Sequence, residues 1–417
     1  MFALIDCNSF FASCERVFDP KLDGKPVGIL SNNDGCIIAR SAELKALGVE
    51  MGTPFHELKP LIVRYGIIVR SSNYTLYGDM SRRVMSILTE FSPDIQQYSI
   101  DEAFIRLSLP AGKDYLEYGK LIRGSVTQWT GIPVGVGIAP TKTLAKLANH
   151  RAKKQPDGVF LMPDDPMPVI GELPVDEVWG IGKRLCGKLQ QMGIRTIRQF
   201  CAQDEGFIQK KFNVCLVRTL LELRGIPTIQ EVDTDEPSQS ISCSRSFGAE
   251  VTELQDLTEA VSNYTAQAAE KLRREKLCAT AAEVYFQVRP EYGPVQQEGG
   301  FNGKTVTFSQ PLSATTDLLR ELSPLLPRIY QPGRRYKKAG IILFGLVDAT
   351  NVQQDLFEPR RDAGKDKLYS TIDEINRKFG RNTVFHLSEG IARPWSMKRE
   401  HLSPNYTTDW NDIPSAK

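Results

Sequence analysis

The stretch "YSIDEAF" (Tyr98–Phe104) places two adjacent carboxylates, Asp101 and Glu102, inside an otherwise apolar, strand-like run. Burying charge in a strand is costly unless something neutralises it. A surface hairpin tip is the usual alternative for an isolated Asp-Glu pair, but a tip should be polar, and both flanks here are apolar. We therefore predict that these acids hold metal ions.

A third carboxylate, Asp6, ends the apolar strand that opens the chain, so its side chain can emerge at a sheet edge. Adjacent strand residues point to opposite faces, so Asp101 and Glu102 share one site only if the strand turns there or the longer Glu102 side chain curls back. Three carboxylates and a backbone carbonyl form a hard-oxygen site, which suits Mg²⁺. Two such ions about 3.5–4 Å apart would stabilise the attacking and leaving oxygens of a phosphoryl transfer. The pattern predicts such a site, with the metals holding a nucleotide triphosphate.

The composition is typical of a globular protein with several domains. The chain has 417 residues, which allows about two to four domains. It has no long uncharged apolar run that would predict a membrane helix, and no basic leader that would predict a signal peptide. The eight cysteines form no CxxC pair and the four histidines no HExxH pattern, so we expect no zinc site and a reducing, cytoplasmic location.

The charge distribution is more informative than the net charge of +2. One basic cluster alone is typical of a solvated helix face. Several clusters in separate regions favour a track that binds a polyanion. They lie at Lys142–Lys154, Gly182–Leu189, Glu270–Lys276 and Gly333–Gly340.

The order of predicted elements divides the chain. Strands and helices alternate without strict order in the first part, which predicts an α+β domain and includes a helix at "SRRVMSILTEF" (Ser81–Phe91) that starts at Ser81. Short helices separated by glycine turns follow, then a polar linker, then a small sheet with two helices on one face. The tail has little periodicity apart from a short helix near "LYSTIDEINRKF" (Leu368–Phe379). The predicted boundaries are 1–165, 166–230, 231–240, 241–348 and 349–417.

Several stretches together resemble the Y-family translesion DNA polymerases. These are "DCNSFFASCE" (Asp6–Glu15), "SIDEAF" (Ser99–Phe104) and "GVGIAPTKTLAKLANHRAKK" (Gly135–Lys154). The segments Ser31–Val49 and Ser71–Met85 resemble the UmuC type specifically, which forms the catalytic subunit of bacterial DNA polymerase V. The resemblance runs over nearly the whole chain.

The resemblance implies a multidomain α+β fold with the right-hand arrangement of palm, fingers and thumb, plus a separate little finger. The implied activity is template-directed, error-prone translesion synthesis in the bacterial DNA-damage (SOS) response. In this reaction a primer 3′-hydroxyl attacks the α-phosphate of a deoxynucleotide triphosphate and releases pyrophosphate, and catalysis is mostly positioning and charge stabilisation. The implied domains are palm and fingers at 1–165 (fingers about 20–77), a helix-hairpin-helix thumb at 166–230, a linker at 231–240, an α/β little finger at 241–348 and a tail at 349–417 with a clamp-binding peptide.

By position, the resemblance makes Asp6, Asp101 and Glu102 the catalytic carboxylates. Together with the Cys7 backbone carbonyl they would hold two Mg²⁺ ions. This implication agrees with the reasoning from the residues themselves.

Residues around the nucleotide follow from the same resemblance. Of Phe10 and Phe11, the family places an aromatic steric gate at Phe11, where it excludes a 2′-hydroxyl; core packing is the alternative for such an aromatic pair. Lys45 and Lys153 are candidates for binding the triphosphate; for Lys153 the alternative is a surface lysine, with the adjacent Lys154 able to take its place. Many family members carry a tyrosine where this chain has Ala42, so no tyrosine contact is expected from that helix.

Two stretches are candidates for contacts with primer-template DNA. "WGIGKR" resembles the hairpin of a helix-hairpin-helix, in which Gly180 and Gly182 would let backbone amides approach a phosphate and Lys183 adds charge. A plain turn at the end of a helix is the alternative. "SCSRSFG" (Ser242–Gly248) resembles the template-gripping strand, with Arg245 as the phosphate partner.

The tail contains "QQDLF", in which Gln353, Leu356 and Phe357 match the peptide that docks into the bacterial β sliding clamp. By analogy with the UmuC type, the tail also implies contacts with a UmuD-type accessory dimer and a RecA filament. The resemblance places the protein in the bacterial cytoplasm, associated with the nucleoid and not with a membrane.

Two other functions remain open at this point. One is a catalytically silent DNA-binding scaffold, against which the intact acids Asp6, Asp101 and Glu102 argue. The other is a different two-metal palm enzyme such as a nucleotide cyclase, which would need neither a thumb hairpin nor a clamp peptide.

Overall fold

The computed structural model describes residues 1–110, 112–229, 238–290, 299–350 and 363–413. The chain forms two compact units. Unit 1 comprises Met1–Val232 and His401–Lys417, and unit 2 comprises Asp233–Glu400, so the chain leaves unit 1 once and returns to it. Within the described residues, no helix is long and apolar enough to cross a membrane.

The first part of unit 1 mixes strands and helices, as the prediction of an α+β domain requires. Its elements are β1 (Phe2–Cys7), α1 (Phe10–Phe18), β2 (Val27–Leu30), β3 (Ile37–Arg40), α2 (Ala42–Ala46), α3 (Phe55–Tyr65), β4 (Ile68–Ser71), α4 (Tyr74–Leu88), β5 (Ile95–Gln97), β6 (Glu102–Arg106), α5 (Tyr115–Thr130), β7 (Val134–Ala139), α6 (Lys142–Ala152) and β8 (Val159–Leu161).

A central sheet with the strand order β5-β6-β1-β7-β8 organises this part, and β1 lies in its middle. Ala3, Ile5 and Cys7 of β1 face a core shared with α4 and α5. Leu4 faces a second core shared with α6. Because side chains alternate along a strand, Asp6 points to the α6 side of the sheet. Strands β3, β2 and β4 form a smaller sheet with a core of its own.

Helix α4 corrects one prediction. The helix begins at Tyr74, almost two turns before the predicted start. Ser81, the predicted first residue, lies inside the helix. The helix is capped by Asn73, whose side chain accepts a hydrogen bond from the Leu76 backbone amide. Asn and Ser are comparable helix caps. Asn73 caps this helix because the apolar face already begins at Leu76 and Tyr77, before Ser81.

A helical region follows and packs on the α6 side of the central sheet. The buried Glu222 anchors it, because its carboxylate accepts a hydrogen bond from the Thr143 amide at 3.0 Å, in the first turn of α6. The Thr141 hydroxyl, which caps α6, donates to the Glu222 carbonyl at 2.8 Å. The helices are α7 (Met167–Ile170), α8 (Lys183–Gln191), α9 (Ile197–Cys201), α10 (Glu205–Lys211) and α11 (Val214–Leu223).

Unit 2 is an antiparallel sheet with the order β11-β10-β12-β9, packed against helices through one core. Strand β9 lies at an edge of this sheet. The sequence predicts this small sheet with helices, and the elements are β9 (Ser240–Val251), α12 (Leu254–Arg274), β10 (Leu277–Val288), β11 (Phe301–Leu312), α13 (Thr315–Leu322), α14 (Leu326–Ile329), β12 (Tyr336–Asp348) and α15 (Ala363–Phe379).

Helix α15 in the tail is longer than the short helix that the sequence predicts. Contacts with α12 support it: the Arg273 guanidinium binds both carboxylate oxygens of Asp373, at 2.7 and 2.8 Å, and lies over the Tyr369 ring. These tertiary contacts support a longer helix than the periodicity of the segment predicts.

Candidate active site

Three acidic residues lie at one end of the central sheet. Asp6 of β1 and Glu102 of β6 are direct partners in the antiparallel pair. Asp101 lies in the turn before β6, where its carbonyl accepts a hydrogen bond from the Cys7 amide at 2.9 Å. The structure thus places the backbones of the three predicted acids next to one another.

Ser99 shapes the turn that makes this possible. Its hydroxyl donates to Asp101 Oδ1 at 2.6 Å and accepts a hydrogen bond from the Glu102 amide at 3.0 Å. The strand therefore turns between its two acids, which is one of the two conditions for adjacent carboxylates to serve one site. Sequence reasoning missed Ser99, although a serine two residues before an aspartate is typical of such a turn.

Lys146 of α6, and Lys153 directly after that helix, each form an ion pair with one of the acids. Lys153 Nζ lies 2.7 Å from Asp6 Oδ1, and Lys146 Nζ lies 3.1 Å from Glu102 Oε2. Between them, Asn149 donates to the Leu4 carbonyl at 3.1 Å and so fixes α6 to β1. Lys146 was not predicted, but its spacing from Asn149 and Lys153 places all three on one face of a helix.

Gly137 allows α6 to lie this close to the sheet. A Cβ atom at Gly137 would lie 2.1 Å from the Asn149 backbone nitrogen and 2.5 Å from the Ala145 carbonyl oxygen. Real side chains do not tolerate such distances, so glycine is required for this approach. The close packing in turn brings Lys146 and Lys153 within reach of the acids.

Lys146 also connects the acids to the start of the "WGIGKR" stretch. Its ammonium group lies 4.2 Å from the centre of the Tyr98 ring and 5.2 Å from that of Trp179. Trp179 Nε1 donates to the Tyr98 hydroxyl at 3.1 Å. An ammonium group between two aromatic faces and a carboxylate is well fixed, so Glu102 has a defined position.

The negative charge of Asp6 is only partly compensated by its surroundings. Burial raises the pKa of Asp6 to about 6, the Lys153 ammonium opposes that rise, and the neighbouring Glu102 adds to it. Burial also raises the pKa of the Cys7 thiol, so Cys7 can serve the site through its backbone and not as a thiolate.

The donor set fits a hard divalent cation. Carboxylate oxygens are the ligands that Mg²⁺ prefers, and the raised pKa of Asp6 means that its charge is poorly compensated by the protein alone. As the side chains stand in the described part of the chain, no three His, Cys, Asp or Glu groups form a metal-binding cluster. The lysine ammonium groups take up carboxylate oxygens at Asp6 and Glu102 instead.

The aromatic pair after β1 is split by the fold. Phe10 is only 3% exposed and belongs to the core, which leaves it no surface for a nucleotide. Phe11 is partly exposed and stacks on Tyr77, with ring centres 4.4 Å apart and an angle of 14° between the planes. The Tyr74 ring meets Phe11 edge-on at 6.2 Å. Phe11 is therefore the aromatic residue that is held at the surface.

Lys45 lies next to Ser9, the residue that precedes α1. Lys45 Nζ donates to the Ser9 hydroxyl at 2.9 Å. Burial lowers the pKa of Lys45, and the positive charges of Arg40 and Lys153 lower it further. Lys45 thus experiences the positive charge of two further cations, and such a combination favours binding of a polyanion. Arg40 was not predicted; its Nε is buried and has no hydrogen-bond partner among the residues described.

The predicted DNA contacts lie on exposed surfaces of their own units. In unit 1, Gly180 has a positive φ of 89° and Gly182 caps the N-terminus of α8, which starts at the exposed Lys183. In unit 2, Arg245 is exposed on the edge strand β9. The predicted clamp peptide, with Gln353, Leu356 and Phe357, lies outside the described residues.

Comparisons with known proteins cover nearly the whole chain. Models described as the impB/mucB/samB family and its C-terminal domain match residues 5–150 and 238–356, and a domain of unknown function (DUF4113) matches residues 366–416. The chain is 43% identical to the protein UmuC of Salmonella typhimurium strain LT2, with 99% of each chain covered. It is 26% identical to DNA polymerase IV of Bacillus velezensis, with 91% of each chain covered.

A solved structure shows the same fold. The Y-family DNA polymerase chimera Dbh-Dpo4(243-245)-Dbh matches with a TM-score of 0.64 at 21% identity, and the match covers 83% of this chain and 99% of that one. The predicted right-hand polymerase fold is thereby confirmed. The chain belongs to the impB/mucB/samB family and is a UmuC-type, DNA-directed DNA polymerase of the Y family, the class that performs translesion synthesis.

Proposed function

We propose that Asp6, Asp101 and Glu102 carry nucleotidyl transfer during error-prone translesion synthesis in the SOS response. The single observation that supports this most is the pairing of Asp6 with Glu102 across β1 and β6, with Asp101 in the adjoining turn. These carboxylates and the Cys7 carbonyl would hold two Mg²⁺ ions. When bound, such ions supply charge stabilisation for the attacking and leaving oxygens of the reacting phosphate.

The cations of this chain bind the triphosphate. The pKa of Lys45 is lowered by burial and further by the positive charges of Arg40 and Lys153. A ligand with several negative charges would relieve this repulsion. A lysine is a compact point charge that suits phosphate oxygens. In this arrangement Lys153 has two roles, because it also balances Asp6 at 2.7 Å.

Phe11 acts as the gate against ribonucleotides. Its ring is supported from behind by Tyr77 and flanked by Tyr74, which limits its movement away from a sugar. A 2′-hydroxyl is the local difference between the two sugars, so a fixed ring selects by excluded volume. Replacing Phe11 with alanine should raise ribonucleotide incorporation, and unchanged discrimination would contradict this role.

The remaining parts grip the substrate and recruit partners. Residues 1–165 serve as palm and fingers, 166–230 as the thumb, 241–348 as the little finger after the linker 231–240, and 349–417 as the tail. Gly180, Gly182 and Lys183 hold one phosphate backbone contact of primer-template DNA and Arg245 another, both independent of sequence. The tail binds the β sliding clamp, a UmuD-type dimer and a RecA filament, and the protein works in the bacterial cytoplasm at the nucleoid.

Primer extension across one abasic site tests the proposal. The reaction contains Mg²⁺, four deoxynucleotides, clamp, RecA filament and the UmuD-type partner. Extension past the lesion by the parent and none by Asp101→Ala is expected. The matched control is Asp79→Ala on α4, whose carboxylate pairs with the exposed Arg82 and Arg83; this variant should extend normally.

The other outcomes point elsewhere. No extension by any of the proteins, with DNA binding intact, would favour the scaffold function. Equal extension by the parent and Asp101→Ala would mean that the acid stretch has been assigned wrongly.

A further inference from the structure

Glu15 is a buried carboxylate that the proposed chemistry does not use. It lies on α1, one turn after Phe11, and is 1% exposed. Its Oε1 atom accepts hydrogen bonds from the Tyr77 hydroxyl at 2.6 Å and from the Ser403 hydroxyl at 3.0 Å. A buried carboxylate needs such donors, so removing either one disturbs the position of the group.

The donor Ser403 belongs to a segment from the far end of the chain. We call residues 401–406 the return segment, because it packs on unit 1 after the chain has passed through unit 2. Its first residue exchanges hydrogen bonds with strand β4: the Ser71 amide donates to the His401 carbonyl, and the His401 amide to the Ser71 hydroxyl, both at 3.0 Å. At its other end, Tyr406 stacks on Phe18 with ring centres 5.0 Å apart. The segment is thus fixed at both ends.

Asn73 joins the return segment to the start of α4. Its side-chain oxygen caps the helix, while its Nδ2 donates to the Ser403 carbonyl and hydroxyl, both at 3.1 Å. The first turn of this helix carries Tyr74 and Tyr77, which are the two rings in contact with Phe11. The return segment therefore touches both the carboxylate and the cap that set the position of these rings.

Burial makes this arrangement demanding. Tyr77 and Ser403 are 0% and 5% exposed, so water cannot replace a lost hydroxyl freely. Burial raises the pKa of Glu15, and the hydrogen bonds from these hydroxyls oppose that rise by stabilising the charged form. The more distant charges of Arg70 and Asp19 act in opposite directions on it. The hydrogen bonds from these two hydroxyl groups fix the position of the Glu15 carboxylate, and the bond to Tyr77 thereby fixes the Tyr77 ring.

We propose that the return segment positions the sugar gate: Ser403 holds Glu15, Glu15 holds the Tyr77 hydroxyl, and the Tyr77 ring supports Phe11. This inference rests on the proposed role of Phe11 as the gate. Ser403, Glu15 and Tyr77 are positioning residues, because none of them needs to touch the nucleotide. The segment is then a determinant of sugar selection, although 388 positions separate Ser403 from Glu15 in the sequence.

The test measures kcat and KM for matched deoxy- and ribonucleotides in the full chain with its partners. Ser403→Ala should lower the deoxy-to-ribo ratio of kcat/KM by about three- to tenfold, the factor that one hydrogen bond supplies. The change should come from a lower KM for the ribonucleotide, while kcat for the deoxynucleotide stays within about twofold. Tyr77→Phe, which keeps the ring, should have the same effect.

Two comparisons sharpen the test. The double variant should lower the ratio no further than either single variant, because both act through Glu15. Thr407→Val is the matched control: the Thr407 hydroxyl is buried and has no hydrogen-bond partner among the described residues, so the ratio should not change.

The Phe11→Ala variant shows whether a negative result concerns the return segment alone or the proposed gate as well. If Phe11→Ala raises ribonucleotide incorporation and both Ser403→Ala and Tyr77→Phe leave the ratio unchanged, the gate stands and the role of the return segment is refuted. An equal loss of kcat/KM for both sugars in these two variants would show a merely structural role and would refute it too. No effect of Phe11→Ala would overturn the gate and the inference together.

Discussion

Replacing Asp6 with asparagine is expected to stabilise the folded protein while it abolishes nucleotidyl transfer. Burial raises the pKa of Asp6 from its ordinary value of 3.8 to about 6, against the opposing effect of Lys153. The folded protein therefore binds more protons than the unfolded chain between these values. The stabilisation that comes from protonated Asp6 in the folded protein is fully present below pH 3.8, and it is lost as the pH rises through about 6.

The magnitude follows from the two pKa values. A difference of this size corresponds to about 3 kcal/mol of unfolding free energy at pH 8, where Asp6 is charged in both states. Asparagine keeps the shape of the protonated side chain and removes the buried charge. The variant should exceed the parent in stability by about this amount at pH 8, and by much less at pH 3.5, where Asp6 is mostly protonated in both states.

Urea unfolding in the presence of EDTA measures the difference in unfolding free energy between the variant and the parent. Hydrogen exchange of peptides from β1 and β7 serves as the probe, so that unfolding of unit 1 is observed. Glu117→Gln is the control, because this exposed carboxylate pairs with Lys120 on the surface of α5 and should change stability by less than about 1 kcal/mol. A less stable Asp6→Asn variant at pH 8, or a difference that does not depend on pH, would refute the reasoning. It would mean that Lys153 compensates the buried charge fully.

Other parts of the site give further predictions. Gly137→Ala should cost about 1–3 kcal/mol of unfolding free energy and reduce activity, because its Cβ meets the Asn149 backbone; urea unfolding checks this, with Gly124→Ala in open space on α5 as the tolerated control. Lys153→Gln should raise KM for deoxynucleotides about tenfold in steady-state extension, since a charge-assisted contact to phosphate is lost, and an unchanged KM would exclude that contact. Arg245→Ala should weaken DNA binding for every sequence and lower the slope of log affinity against log salt by about 1, measured by fluorescence anisotropy; an unchanged slope would contradict a phosphate contact.

The acids could be singled out from the sequence because each one lies within or at the end of an apolar, strand-like run. Charge at the end of a buried strand has few explanations, and the antiparallel pairing that places Asp6 opposite Glu102 follows from ordinary sheet geometry. The start of α4 was mispredicted although its apolar face is regular, because two good capping residues, Asn73 and Ser81, both fit the pattern.

The lysine contacts and the return segment could not be predicted in this way. Lys146 reaches Glu102 because Gly137 lets two backbones approach, and a sequence does not state which glycine serves that purpose. Residues 401–406 have no strand or helix periodicity at all. Their place is decided by single hydroxyl and amide contacts such as that of Ser403, which depend on the finished surface of unit 1.

The return segment also sets an order of events during synthesis of the protein. After Glu15 has been added to the growing chain, 388 further positions must be translated before its partner Ser403 exists. Domains usually fold as they emerge, so the catalytic unit spends that time with a buried carboxylate short of one donor. A nascent or prematurely terminated chain would then contain all three proposed catalytic acids and still lack Ser403, the residue that we propose supports sugar selection. Under the proposed role of Ser403, only a fully translated chain would have its complete selection against ribonucleotides.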